Sequence, residues 1–177
     1  ERTTGRIRNK KYDANKNSKL KNKDLKQEVQ NHEMKRKAEK IMLNVGVIGC
    51  GGMGRDHIRR LTEKIQGAEV VAVSDVFEES ARKAAEICGA KVYADSKELI
   101  NAENVDAVFI VSPGFAHVDS LLQAIEAGKR IFCEKPLCTT AEDCLKVVKA
   151  EEAAGKHLIQ LGFMRRYDKG YMQVKEA

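Results

Sequence analysis

A glycine-rich turn, GCGGMG at residues 49–54, joins an apolar run to an amphipathic segment. The run LNVGVI before it is typical of a buried strand, and GRDHIRRLTEKI carries apolar residues at helical spacing. Such a turn directs backbone N–H groups and the start of a helix towards a diphosphate. We predict that Gly49 permits the tight turn and that Gly51 lets the backbone approach the phosphates. Gly54 is expected to let the helix pack closely on the strand.

An acidic residue follows the next apolar run at the spacing of a ribose-binding carboxylate. Asp75 lies 21 residues beyond Gly54, and a carboxylate there can accept hydrogen bonds from a ribose diol. Its charge would repel a 2′-phosphate, and no arginine follows it directly, so we expect NAD rather than NADP. The glycine pattern alone often marks only a loop, but strand, turn, helix and acid together predict dinucleotide binding. The expected cofactor contacts are Gly49, Gly51, Gly52, Met53, Gly54, Asp75 and Val76.

Apolar runs alternate with helical patterns between residues 43 and 163. The predicted strands are 43–48, 69–74, 90–94, 105–112, 130–133 and 157–163. The predicted helices are 52–66, 78–88, 96–101, 115–127 and 140–154. Because the strands are short and continuously apolar, we expect a parallel sheet that is covered on both faces. Right-handed crossovers then give an α/β fold, a Rossmann-type doubly wound domain over residues 42–163, with its ligand at the carboxyl ends of the strands.

Helix ends carry their own signals. A glycine follows each of four helical patterns, at positions 67, 89, 128 and 155, where a left-handed residue commonly closes a helix. Thr139 and Glu142 have the spacing of a capping box, which predicts the start of the helix that follows.

The basic charge is confined to the first 41 residues. They contain 14 Lys/Arg and 6 Asp/Glu, a net charge of +8, whereas residues 42–177 contain 18 and 20, a net charge of −2. Apolar residues are sparse in this segment, so we expect residues 1–41 to form a disordered basic leader. A basic arm could bind nucleic acid, but a single aromatic residue and no recognisable binding fold favour a solvated tail. Met42 directly precedes the first strand and is a candidate for the original start of the protein.

Composition argues against several other classes of protein. The five cysteines, at positions 50, 88, 133, 138 and 144, form no Cys-x-x-Cys pair. We therefore expect reduced, mostly buried thiols rather than a metal site or a disulfide framework. The leader lacks the apolar segment of a secretion signal, and no apolar run approaches the roughly 18 residues of a membrane helix. These observations predict a cytoplasmic protein without membrane contact.

Two loops beyond strand ends contain polar residues that could carry chemistry. Ser112 follows the fourth predicted strand, and Glu134-Lys135-Pro136 follows the fifth. We expect both loops on the same edge as the glycine turn, near the nicotinamide end of a dinucleotide, with Ser112 as a further cofactor contact. A lysine there can orient a substrate hydroxyl or help to remove its proton, although a surface lysine before a helix is an open alternative. His57, on the first helix, is interpreted as a packing or capping residue.

Five segments extend these motifs in order: VIGCGGMG, AVSDV, VDAVFIVSPGFAH, EAGKRIFCEKPL and LGFMRRYDKGY. The set resembles the glucose–fructose oxidoreductase/inositol dehydrogenase/MocA (Gfo/Idh/MocA) family over about residues 43–177, and FCEKPLCTTAEDC and GFMRRYD resemble its inositol branch. The resemblance implies NAD-dependent oxidation of a secondary alcohol on a cyclitol, myo-inositol giving 2-keto-myo-inositol. It also implies that the full-length protein is a homo-oligomer.

The resemblance assigns roles to individual residues. Lys135 matches the family's catalytic lysine, which also contacts the substrate, and Glu134 supports the loop on the cofactor side. Met164 and Arg165 correspond to the edge of the substrate pocket. His117 matches a recurrent position near the cofactor loop and is a candidate cofactor contact.

Residues 164–177 are interpreted as the start of a second, truncated α/β domain. In the family this domain supplies an Asp and a His that complete proton handling, so we expect negligible turnover from residues 1–177 alone. Another sugar or cyclitol dehydrogenase of the family, and a non-catalytic NAD-binding module, are the alternative interpretations.

Overall fold

The computed structural model describes residues 42–177, and the leader expected over residues 1–41 lies outside this part of the chain. The strands are β1 (Leu43–Ile48), β2 (Ala68–Ser74), β3 (Lys91–Tyr93), β4 (Ala107–Ile110), β5 (Arg130–Cys133) and β6 (Ile159–Leu161). The α-helices are α1 (Gly52–Glu63), α2 (Glu78–Cys88), α3 (Ser96–Asn101), α4 (His117–Glu126), α5 (Ala141–Ala154) and α6 (Lys169–Glu176). Two 3₁₀ helices cover Gly114–Ala116 and Met164–Tyr167.

The six strands form one parallel sheet in the order β3-β2-β1-β4-β5-β6. The strand order reverses between β1 and β4, which is where open α/β sheets form their ligand crevice. The strand ends are in register: Ile48 lies between Ser74 and Ile110, and Cys133 lies between Ile110 and Leu161. The glycine turn and the loops after β2, β4, β5 and β6 therefore leave the sheet at one edge.

Helices cover both faces of the sheet, which confirms the doubly wound α/β prediction. On one face, Ile58 of α1 and Ala84 of α2 pack with the buried side chains of β1 and β2. On the other face, the core includes Leu99 of α3, Leu121 of α4 and Val147 of α5, all fully buried. Burying a large aliphatic side chain stabilises a fold by about 1.5–3 kcal/mol. The two cores together therefore hold the strand ends that carry the polar loops.

Several predicted elements are longer than the observed ones: β3 covers Lys91–Tyr93 rather than 90–94, and β4 begins at Ala107 rather than at residue 105. Strand β4 stops at Ile110 rather than at residue 112, because Pro113 has no N–H to donate and the chain turns into a 3₁₀ helix. Helix α1 ends at Glu63 rather than at residue 66, because the next two N–H groups both return to the carbonyl of Arg60. Strand β6 covers residues 159–161 rather than 157–163, since it lies at the edge of the sheet and pairs only with the short β5.

The helix-end signals are confirmed at three of the four glycines and are wrong at one cap. Gly89, Gly128 and Gly155 adopt positive φ at or directly after the C-caps of α2, α4 and α5. Gly67 also has positive φ, but it closes no helix, because α1 ends at Glu63. The capping box predicted from Thr139 and Glu142 is displaced by one residue. Thr140 is the N-cap of α5, and its Oγ1 accepts a hydrogen bond from the N–H of Asp143 at 3.1 Å. Helix α5 therefore begins at Ala141.

Candidate dinucleotide-binding site

The glycine turn has a shape that side chains would prevent. Gly49 has a φ of +94°, and a Cβ there would overlap the backbone of Ser112 after β4. A Cβ on Gly54 would overlap the carbonyl oxygen of Gly49, so the first turn of α1 packs directly on the loop. No atom of the described residues lies within 4 Å of a Cβ built on Gly51 or Gly52. The turn therefore packs closely at Gly49 and Gly54 and faces open space at Gly51 and Gly52.

Helix α1 begins at this open space. The first N–H groups of a helix have no acceptor within the helix, and the N-cap, Gly51, makes no side-chain capping bond. The first turn of α1 contains no acidic residue that would compete with an anion. Backbone donors, the positive end of the helix and free volume together fit the diphosphate of NAD.

Asp75 is held beside the turn by two backbone hydrogen bonds. Its Oδ2 accepts from the N–H of Cys50 at 2.6 Å, and its Oδ1 accepts from the N–H of Phe77 at 2.8 Å. A carboxylate oxygen can accept more than one hydrogen bond, so capacity remains for ribose hydroxyls. The next residues, Val76 and Phe77, are 93% and 72% exposed. The carboxylate is thus fixed at an open edge, and the ribose contact itself stays a prediction.

Two side chains of the turn and of α1 donate hydrogen bonds to nearby backbone carbonyl oxygens. Arg55 donates from Nη1 to the carbonyl oxygen of Cys50 at 2.8 Å, and the Cys50 thiol donates to the carbonyl oxygen of Ser74 at 3.6 Å. Burial, and then the charge of Asp75, raise the pKa of the Cys50 thiol to about 12. A thiol in this state is a structural group rather than a nucleophile.

The loop after β5 is fixed by two side chains that are far apart in the sequence. Glu134 Oε1 lies 2.9 Å from Nε2 of His57, on α1, and Glu134 Oε2 accepts from the backbone N–H of Lys135 at 3.1 Å. The His57 and Glu134 side chains are only 18% and 15% exposed. The His57 ring also packs edge-on against Phe109 and Phe132, with centroid distances of 6.0 and 5.3 Å. His57 therefore does more than pack: it links α1, which begins at the glycine turn, to the loop that contains Lys135.

Lys135 is exposed at the carboxyl edge of the sheet. It follows β5, and the in-register strand ends bring this loop to the same edge as the glycine turn. Glu134 fixes its backbone, whereas its side chain reaches solvent. This is the edge on which the sequence predicts the redox chemistry.

His117 is buried between the loops after β4 and β5. Its side chain is 1% exposed, Nε2 lies 2.7 Å from the carbonyl oxygen of Ser112, and Nδ1 lies 2.9 Å from that of Pro136. A cofactor contact through these nitrogens, as the sequence predicts, would require the loop contacts to break. The Ser112 Oγ is buried and has no hydrogen-bond partner among the described residues.

The expected substrate-side residues follow β6. Met164 is 59% exposed and Arg165 is also exposed. Arg165 Nη1 donates to Asp168 Oδ2 at 3.1 Å, and its guanidinium lies 5.1 Å from the ring centroid of Tyr171. The guanidinium therefore already has partners on α6, and a substrate contact by Met164 or Arg165 stays a prediction.

Three findings concern the described residues 42–177 and bear on other classes of function. None of their helices combines the length and the apolar character that a membrane span requires. They contain no cluster of three or more His, Cys, Asp or Glu that could hold a metal ion. All five cysteines are free thiols, and Cys50, Cys133 and Cys138 are buried.

The fold and the turn define a nucleotide-binding domain of the Rossmann type. Residues 43–163 match the model of a family described as an oxidoreductase family with an NAD-binding Rossmann fold. The chain therefore belongs to the Gfo/Idh/MocA family, and its cofactor is NAD.

Several proteins to which the chain is similar are inositol dehydrogenases. Inositol 2-dehydrogenase/D-chiro-inositol 3-dehydrogenase of Shouchella clausii (strain KSM-K16) is 57% identical over 139 residues, which are 77% of this chain and 40% of that protein. The myo-inositol dehydrogenase of Lactobacillus casei, solved with NAD(H) and myo-inositol, superimposes with a TM-score of 0.74 at 49% identity, over 76% of this chain and 40% of that one. The scyllo-inositol dehydrogenase of the same organism gives 0.72 at 32% identity, over 76% and 40%. The chain thus spans about 40% of the length of these relatives.

Proposed function

We propose that this chain binds NAD at the glycine turn as part of an enzyme that oxidises myo-inositol to 2-keto-myo-inositol. The names of relatives at 57% and 53% identity, both inositol 2-dehydrogenases, support the substrate. The structural observation that carries the proposal is the shared edge of the glycine turn and Lys135. When bound, NAD supplies the hydride acceptor.

The order of the strands supports the direction in which the cofactor lies. Asp75 follows β2, on one side of the β1–β4 switch point, and Ser112 and Glu134 follow β4 and β5 on the other. In the proposed mode Asp75 and Val76 border the adenosine ribose, and backbone donors at the start of α1 hold the diphosphate. The loops that contain Ser112 and Glu134 then border the nicotinamide half.

Lys135 is the proposed catalytic residue. Oxidation of a secondary alcohol removes a hydride from carbon and a proton from the hydroxyl, so a protein group must hold that hydroxyl and relay its proton. The Lys135 ammonium can donate to the substrate oxygen and orient the alcohol carbon. Met164 and Arg165 would border the ring, since a guanidinium offers several fixed donors to vicinal hydroxyls.

We propose that turnover by residues 1–177 alone is negligible. Lys135, Met164 and Arg165 are all exposed, so a substrate beside them would be held loosely, and misplacement by about 1 Å can cost 10²-fold in rate. The purified chain should bind NADH yet form no NADH from NAD and myo-inositol above background. Robust inositol-dependent NADH formation would overturn this part of the proposal.

Asp75 provides the test of cofactor choice. A carboxylate and a 2′-phosphate about 4 Å apart repel by up to roughly 4 kcal/mol before screening, so NADH should bind at least about tenfold more tightly than NADPH. The variant Asp75→Asn should lose most of this preference, as measured by isothermal titration calorimetry. Asp106→Asn is a matched control, because Asp106 Oδ2 also accepts a backbone N–H, from Asn44 at 3.0 Å, at the opposite edge of the sheet. Equal affinities in the unmodified chain would remove this role for Asp75.

A second candidate is another cyclitol or sugar dehydrogenase of the same family, which the similarity to a scyllo-inositol dehydrogenase favours. Comparing myo-inositol, scyllo-inositol and D-glucose as substrates of the longest natural form of the protein separates these possibilities. The variant Lys135→Ala in that form should abolish oxidation while NADH binding persists; undiminished oxidation would exclude Lys135 as the catalytic residue. A cytoplasmic location, homo-oligomerisation of the full-length protein and a role in inositol catabolism belong to the same proposal.

A further inference from the structure

A buried histidine ring lies between the loops after β4 and β5. His117 is the first residue of α4, yet it is 1% exposed, because its imidazole turns inward under both loops. A Cβ on Gly114 would lie 3.2 Å from the ring of Pro136, so the two loops are also in close van der Waals contact at this point. The histidine therefore lies at the junction of two segments that border the proposed nicotinamide position.

The ring nitrogens face only backbone carbonyl oxygens and one thiol. Nε2 lies 2.7 Å from the Ser112 carbonyl oxygen, and Nδ1 lies 2.9 and 3.3 Å from those of Pro136 and Leu137. The Cys133 sulfur is 3.4 Å from Nδ1. Carbonyl oxygens only accept, so each loop contact requires the imidazole to donate. A neutral ring has one N–H and donates to one loop, whereas a doubly protonated ring donates to both.

These contacts fix the backbone on the far side of Lys135 from Glu134. Glu134 accepts the N–H of Lys135, and Nδ1 of His117 lies 2.9 Å from the carbonyl oxygen of Pro136, the next residue. Nε2 of the same ring lies 2.7 Å from the carbonyl oxygen of Ser112, whose N–H and Cα border the position that a Cβ on Gly49 would occupy. Movement of His117 would therefore act on the Ser112 and Lys135 loops, whereas no hydrogen bond of its ring reaches Asp75 or the start of α1 among the described residues.

We propose that His117 is a positioning residue that locks the Ser112 and Lys135 loops together and so sets the shape of the nicotinamide half of the site. This inference rests on the proposed function, because it assumes that NAD lies across the β1–β4 switch point. His117 then affects cofactor binding indirectly, through the backbone of Ser112 and Pro136, rather than by touching the cofactor. The expected signature is a selective loss of affinity for the whole dinucleotide, without a loss of affinity for its adenosine half.

The test compares NADH with ADP, which lacks the nicotinamide and its ribose, by calorimetric titration of the full chain. His117→Ala removes the loop contacts and should weaken NADH binding by about tenfold or more, while ADP affinity stays within about twofold. His157→Ala is the matched control, since His157 is exposed before β6, and it should change neither affinity. Parallel loss of NADH and ADP affinity, or unchanged NADH affinity, would overturn the inference.

Two isosteric variants keep the inference testable if His117→Ala does not fold. In His117→Asn the amide stands near the place of Nδ1 and can still donate to Pro136, whereas in His117→Gln it stands near Nε2 and can still donate to Ser112. Each variant should bind NADH more weakly than the unmodified chain and bind ADP with unchanged affinity. If His117→Ala folds, the NADH affinity of each variant should lie between those of His117→Ala and the unmodified chain. Isosteres that weaken both ligands alike would assign His117 a general structural role. Failure of the unmodified chain to bind either ligand would instead reject the proposed function, and the inference with it.

Discussion

Replacing Gly54 by alanine should destabilise the domain although alanine is the better helix former. In an exposed helix interior this exchange would stabilise the protein by about 1 kcal/mol. At Gly54 the added Cβ would overlap the carbonyl oxygen of Gly49, and overpacking against a fixed group costs about 1–3 kcal/mol, occasionally more. The obstacle is backbone rather than a flexible side chain, so the upper part of that range applies. We expect the free energy of unfolding to fall by about 1–2 kcal/mol.

The matched control lies two residues earlier in the same helix. A Cβ on Gly52 meets no atom of the described residues within 4 Å, so Gly52→Ala should leave the free energy of unfolding unchanged or raise it slightly. Urea unfolding followed by circular dichroism measures both variants. The corresponding shift in the melting temperature of Gly54→Ala is a decrease of roughly 3–8 °C for a domain of this size.

NADH titration of the same variants extends the prediction. Gly54→Ala separates the helix from the turn and should weaken NADH binding together with stability. Gly51→Ala adds a Cβ only in the open space above the turn, so it should weaken NADH binding and leave stability nearly unchanged. If Gly54→Ala proved as stable as the unmodified protein, the close approach of helix and turn could not be what requires glycine there.

Two further predictions concern stability alone. Glu151 Oε1 accepts two backbone N–H groups at the start of β6, at 2.7 and 2.8 Å. Glu151→Ala should therefore lower the free energy of unfolding by about 1–3 kcal/mol. Glu152→Ala, at the exposed neighbouring residue, is the control, and equal effects of the two variants would show that these hydrogen bonds do not stabilise β6. Burial raises the pKa of Cys50 and of Cys133 from 9.0 to about 12, so their protonated forms stabilise the fold below pH 9 and this contribution is lost as the pH rises towards 12. The free energy of unfolding should therefore fall above pH 9 by up to about 1.4 kcal/mol per pH unit for each thiol, and urea unfolding at pH 8 and pH 10 should show a smaller fall in Cys133→Ala.

The fold could be predicted because its signals are local. Each helix has an apolar period and each strand a short apolar run that a local window reveals, and the glycine turn indicates its own backbone requirement. The errors occur at the boundaries of elements. Thr139 and Thr140 are both residues that can cap a helix, and Thr140 is the N-cap of α5. The prediction for strand β4 is two residues too long at each end, because the apolar pattern continues beyond the residues that pair in the sheet.

The site divides in the same way. The glycine turn and Asp75 lie within one βαβ unit, so spacing along the chain is enough to predict that they lie together, and Asp75 accepts a hydrogen bond from the turn. His57 was not linked to Glu134, because 77 residues separate the two and only the folded sheet brings α1 to the end of β5. The loop contacts of His117 likewise depend on the parallel pairing of β4 with β5, which composition does not report. The family resemblance predicts a position for His117 near the cofactor loop but does not predict the partners of its ring.

Cofactor binding and catalysis should be separable by mutation in the proposed site. In the adenosine half of the proposed site, the glycine turn and the hydrogen bonds of Asp75 fix the backbone. The nicotinamide half is fixed through Glu134 and His117, which hold the backbone on both sides of Lys135 and leave its ammonium exposed. A fixed backbone with an exposed ammonium limits where a substrate oxygen can lie but does not exclude water from it. We therefore expect affinity for NADH to survive changes at Lys135 that abolish oxidation, and changes at His117 to weaken NADH binding before any chemistry occurs.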